Sequence, residues 1–213
     1  MFQDTAFDGD LSAWNVGSSL SFHDMFKRSN FNGDIGDWVV SSCTDFSSMF
    51  EDTPFNADTG GWDVSSAETF SEMFKFTNFD QDIGSWDVSR VTDFADMFHG
   101  STFNQDISDR DTSSAELMYD MFYNNSVFNQ DIGNWDVSNV VDFDYMFALA
   151  VSFNQDISGW STVSATSMRN MFDGADSFDI NIGAWDVSKV GSFRGFQLCS
   201  AAPILLTKWH HLS

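Results

Sequence analysis

Apolar residues recur along this chain in fixed columns, without the continuous periodicity of long helices. Tryptophan falls at Trp14, Trp38, Trp62, Trp86, Trp135, Trp160, Trp185 and Trp209. Met-Phe dipeptides begin at Met1, Met25, Met49, Met73, Met97, Met121, Met146 and Met171. A third column holds Phe22, Phe46, Phe70, Phe94, Phe143 and Phe193, with Met118 and Met168 in its other places. The step is 24 or 25 residues, and Arg110 stands where one Trp would fall. Self-similarity at a fixed step marks architectures in which coils stack and neighbours cover each other's apolar faces. The eight Trp are therefore expected in the core.

Within a coil, Ile83-x-x-Trp86-x-Val88 predicts a short strand with Trp and Val on one face. Asp93 then caps one or two helical turns, of α or tighter 3₁₀ kind, in which Phe94, Met97 and Phe98 follow the i, i+3, i+4 rule. Tyr123 to Val127 has one residue more than His99 to Thr102, so the change of repeat length sits in one loop. The expected architecture is a mainly β repeat solenoid, a right-handed coil with one parallel sheet of short strands and short helical turns opposite. Eight repeats span residues 1–198, starting mid-repeat, and residues 199–213 form a degenerate ninth strand or cap with Lys208, His210 and His211 facing water.

Charge narrows the partners. Thirty-two acidic against 9 basic residues give a net charge of −23, which repels phosphate backbones and anionic membranes, so nucleic acid is not expected. The longest apolar stretch near the end, Ala201 to Leu206, is too short to cross a bilayer, and membrane insertion is not expected. The first residues lack the basic and apolar regions of a signal peptide.

Cys43 and Cys199 lie about six coils apart, roughly 30 Å at ~4.8 Å per coil, which excludes an intrachain disulfide and reads as two buried thiols. His210 and His211 point to opposite faces of an extended strand and make a poor chelate. No nucleophile elbow or repeated histidine partner is present, so catalysis is not expected.

Two acidic columns carry the candidate chemistry. Asp10, Asp34, Asp58, Asp82, Asp106, Asp131 and Asp156, with Asn181, precede the strand. They suit turns that accept backbone N–H bonds, or calcium bridging between coils through Asp34, Asp58, Asp82, Asp106, Asp131 and Asp156. The second column follows Trp at Asp63, Asp87, Asp111, Asp136 and Asp186, with Asn15, Val39 and Ser161 elsewhere. Beside it lie Ser65, Ser89, Ser113, Ser138 and Ser188. This Asp/Ser stripe reads as a solvated face or as a binding stripe for a basic or sugar partner.

The phrases Phe128-Asn129-Gln130-Asp131-Ile132-Gly133-Asn134-Trp135-Asp136-Val137-Ser138 and Val91-Thr92-Asp93-Phe94-Ala95-Asp96-Met97-Phe98 resemble the repeat of BspA-like surface proteins, found among mycoplasma lipoproteins. The resemblance implies a leucine-rich-repeat-like coil and an extracellular or cell-surface adhesion role, with no catalytic residues to carry over. Three functions are open: recognition of a protein or glycan through the strand face, a structural or linker subunit joined end to end, and a calcium-dependent adhesin.

Overall fold

The computed structural model describes residues 1–191; the expected cap with Trp209, and Cys199, lie outside the described residues. The repeats stack as coils, but they are built of turns. Among the described residues there is no helix, 3₁₀ segment or extended strand. The only ladder positions among the described residues are six isolated parallel bridges joining Ser21, Asp45, Thr69, Asp93, Leu117, Asp142 and Ser167 in succession. The expectation of a mainly β, right-handed, leucine-rich-repeat-like solenoid with a parallel sheet and helical turns is therefore corrected.

The reason is visible in the backbone bonds. Phe22 to Phe26, expected to be helical, instead opens two consecutive four-residue turns, closed by Met25 N–H to Phe22 O (3.0 Å) and Ser29 N–H to Phe26 O (2.9 Å). The third residue of each turn, Asp24 or Arg28, has φ of 54°, as type II turns require. The same positive φ recurs at every fourth residue of this segment in later coils, through Ser48 and Asp52 to Asn170 and Gly174. A left-handed residue every fourth position breaks any helix, while i, i+3, i+4 spacing is equally satisfied by paired turns. It costs about 1–2 kcal/mol for a residue with a Cβ, and the freed N–H groups offset this cost. Phe22, Asp24, Phe26 and Arg28 donate to Asp45, Ser47, Met49 and Glu51 of the next coil at 2.8–3.1 Å. Backbone donors that a helix would use internally thus tie coil to coil.

The expected strand fails for a related reason. Trp86 N–H closes a turn on Ile83 O, and Val91 N–H closes another on Val88 O, both at 3.0 Å. Here adjacent coils are joined by side chains: the indole N–H of Trp38, Trp62, Trp86, Trp135, Trp160 and Trp185 donates to the carbonyl of Leu11, Ile35, Thr59, Ile107, Ile132 and Ile157 in the coil before, at 3.0–3.1 Å. Trp38 to Trp185 are buried, whereas Trp14, in the first coil and covered from one side, is 42% exposed.

Rings fill the interior. Phe26, Phe50, Phe74, Phe98, Phe122, Phe147 and Phe172 lie in one column with centroids 5.7–5.9 Å apart and planes within 13°. Each also stacks on the Phe that follows its loop, as Phe74 does on Phe79 at 3.8 Å. An outer ladder missed in the sequence runs beside them: Asn56, Asp80, Asn104, Asn129, Asn154 and Asp179 each donate a backbone N–H to the side-chain oxygen one coil earlier, at 2.8–3.0 Å. In the first of the lengthened loops the fully buried Asn125 uses its amide, donating to Phe103 O (3.0 Å) and accepting from Phe128 N–H (3.1 Å); at the same place in the next two, Ala150 O and Ala175 O accept from Phe153 and Phe178 N–H at 3.0 Å.

Arg110 takes the place of the missing indole, its guanidinium donating to Ile83 O and Trp86 O. Being thinner than an indole, it leaves a small, partly open apolar cleft beside Trp86, Phe94, Met118 and Trp135. Arg110→Trp should fill this cleft and raise stability by about 1–2 kcal/mol, read as a higher melting temperature. Phe74→Ala, in the middle of the ring column, should cost about 3–5 kcal/mol by denaturant titration.

Candidate functional site

The two acidic columns are consumed locally. Asp10, Asp34, Asp58, Asp82, Asp106, Asp131, Asp156 and Asn181 each accept the backbone N–H two residues on, at 2.7–3.1 Å. In the stripe, Asp63, Asp87, Asp111, Asp136 and Asp186 accept the N–H of Ser65, Ser89, Ser113, Ser138 and Ser188 at 2.9–3.1 Å. Hydrogen bonds from their serines hold the carboxyls of Asp63, Asp87, Asp136 and Asp186 below the usual aspartate range. The repeated Asp-x-Ser is thus a local turn lock.

Chemistry that varies from coil to coil gathers on the face formed by the paired turns. Column by column this face carries His23, Tyr119, Asp144 and Arg169; Asp24, Glu72, Asp96, Asp120 and Tyr145; and Lys27, Glu51, Lys75, His99 and Tyr123. All three tyrosines of the chain lie here, on two neighbouring coils. Two of them, Tyr123 and Tyr145, continue a row of rings across coils: Phe76 meets the His99 ring edge-on at 4.8 Å, His99 meets Tyr123 at 4.6 Å, and Tyr123 meets Tyr145 at 6.2 Å. Phe76 is 49% exposed, and its ring lies where a Cβ on Gly100 would intrude to 2.5 Å. Glycine at that position, with φ of 63°, both closes the turn and seats the ring.

Charged groups thread this row. Lys75 bridges Glu72 (3.2 Å) and Asp96 (2.8 Å), and His99 Nδ1 lies 2.7 Å from the same Asp96 oxygen. Earlier along the face Lys27 pairs with Asp24 and Glu51; later, Arg169 Nε donates to Asp144 at 2.7 Å. Burial opposes ionisation of Glu72, but the Ser48 hydroxyl and Lys75 outweigh it and bring the carboxyl to about 2. Burial dominates at Asp93, Asp120 and Asp142, all raised; Asp120, further opposed by the Asp96 charge, is pushed up to about 6. Asp63, Asp87, Asp136 and Asp186 are held down by local donors, while Asp93, Asp120 and Asp142 are held up by burial.

None of Phe76, His99, Tyr119, Tyr123, Tyr145, Asp96 or Asp120 was singled out as a site residue from sequence. The available signal was variation: these columns change identity between coils while the Trp, Phe and Asp-x-Ser columns repeat. Cys43 is buried, its thiol pushed up to about 11 by desolvation. No group of three or more metal-ligating side chains occurs among the described residues.

The raised Asp120 carboxyl binds its proton more readily folded than unfolded, so stability should increase as pH falls from about 6 to about 4. Below that range Asp63, Asp87, Asp136 and Asp186, whose carboxyls are lowered by their serines, begin to protonate and stability is lost. Asp120→Asn should raise stability at neutral pH by about 1 kcal/mol, a figure reduced because water screens a half-exposed group, and should flatten the rise in melting temperature between neutral and mildly acidic pH. For the calcium reading, melting in calcium and in chelator should coincide; a higher transition with calcium would show carboxylates bridged between coils.

Comparison with curated proteins gives no match, and comparison with solved structures gives none. A family model described as "Mycoplasma protein of unknown function, DUF285" matches over residues 1–78, 56–137 and 101–209, overlapping along nearly the whole chain. Repetition of the match agrees with the coil repeat, and the chain belongs to this DUF285 family.

Proposed function

We propose that the chain is a non-catalytic recognition module that presents the paired-turn face to a protein or glycan partner at a cell surface. The observation that carries the reading is the row formed on that face by the exposed Phe76, His99, Tyr123 and Tyr145, with the remaining tyrosine, Tyr119, on the same face. Aromatic side chains offer large contact area with a polar tip, which suits them to interfaces. The Asp/Ser stripe is the weaker recognition surface because each of its aspartates already serves its own turn.

The BspA-like phrases support an extracellular setting and an adhesive role, although the leucine-rich-repeat geometry attached to that resemblance does not apply. Among the described residues no helix is long and apolar enough to cross a membrane. A net charge of −23 disfavours nucleic acid as the partner.

The test is retention of the labelled protein on a panel of cell surfaces and on a glycan array. Phe76→Ser combined with Tyr145→Ser should lower retention at least about tenfold with little change in melting temperature, whereas Asn134→Ser should leave it unchanged. Undiminished retention by the double variant would overturn the assignment of this face.

A further inference from the structure

The paired-turn face provides its own acids with basic partners by a simple rule. Three residues after an acid of the Asp24 column comes a base: Lys27 after Asp24, Lys75 after Glu72 and His99 after Asp96, at 3.5, 3.2 and 2.7 Å. Lys75 shows the full arrangement. Its ammonium lies between Glu72 and Asp96 and 5.8 Å from the centre of the Phe76 ring, so carboxylates and an aromatic ring hold one cation together.

At Asp120 the rule stops. Tyr123 occupies the place of the base. The carboxylates on either side are engaged, Asp96 by Lys75 and His99, Asp144 by Ser167 and Arg169. No hydrogen bond or ion pair to the Asp120 carboxylate occurs among the described residues, and it is half-buried. Around it the aromatic share is greater than at Lys75: Tyr119 precedes it, Tyr123 follows, and Tyr145 fills its column in the next coil.

We infer that Asp120, with the Tyr123 and Tyr145 rings, is a cradle for the ammonium or guanidinium of a lysine or arginine side chain on a protein partner. The inference rests on the paired-turn face being the recognition surface, and it names the partner's anchoring chemistry. Charge favours it. Glu72, Asp93, Asp96, Asp120, Asp142 and Asp144 outnumber Lys75 and Arg169 along this part of the face, so the net potential there attracts an incoming cation. A neutral sugar would leave the Asp120 charge uncompensated.

The test uses the whole chain and a short Gly-Ser peptide with spaced lysines, beside its glutamine analogue, titrated calorimetrically at low salt. The lysine peptide should bind at least about tenfold more tightly than the analogue. Asp120→Asn should remove that difference, and Asp109→Asn, which deletes an equal charge elsewhere, should keep it. Tyr123→Lys restores the internal rule, so this variant should melt higher than the parent and lose the peptide. Equal binding of the two peptides, or a Tyr123→Lys variant that binds within about twofold of the parent, would overturn the inference. If the inference fails while the Phe76/Tyr145 double variant still loses cell or glycan retention, the face stands as a recognition surface with a different partner; if both fail, the reading of the face falls as well.

Discussion

The architecture depends on where the backbone N–H groups of the paired turns point. Alternate residues, as at Phe22, Asp24, Phe26 and Arg28, donate to the carbonyls of the next coil. That direction is reached only because every fourth residue takes a left-handed conformation. A helix would close the same donors within one coil and leave neighbouring coils joined by side chains alone. The turn ladder instead makes each coil a template for the next and brings equivalent rings to 5.7–5.9 Å. Aromatic burial and ring contact then add their larger, less directional share.

This arrangement divides the surface by purpose. Where a coil must turn, a short acceptor is needed in every repeat, and Asp-x-Ser supplies it; the charge there is set by local geometry. Where the paired turns face outward, their side chains are free of the turn-closing duty, since backbone bonds and the hydroxyls of Thr53, Thr77 and Ser101 at the turn ends close them. Those columns can change from Lys to His to Tyr without disturbing the stack, which is how an ion network comes to lie beside an aromatic row. Arg110 shows the limit of such freedom inside: its guanidinium keeps the hydrogen bond an indole would make, yet leaves an apolar cleft that a full ring would occupy.

Much of this was legible from residue order. Trp86 and its equivalents were placed in the core, and the residues Trp38 to Trp185 are buried. Trp14 departs because only one side of its coil is covered. At Ile83 to Val88 and Phe94 to Phe98, where the spacing predicts a strand and a helical turn, the chain forms tight turns. Spacing reports which residues face inward, and two tight turns place the i, i+3, i+4 set inward as readily as a helical turn does. Non-glycine residues such as Glu72 or Tyr145 give no hint that their φ is positive, since the preference is imposed by the neighbouring coil.

By itself the sequence determined that the chain repeats every 24 or 25 residues, which side chains fill the interior, and that the protein is strongly acidic; these follow from composition and period, which survive without coordinates. Only the tertiary structure decided that the coils are made of turns, that the aspartate stripe is spent on its own serines, and that Phe76, His99, Tyr123 and Tyr145 form a row. The physical reason is that the turns and the ring row depend on contacts between residues about 24 positions apart, where one coil selects the backbone conformation of the next, and the two-residue Asp-to-Ser bonds are made within coils shaped that way.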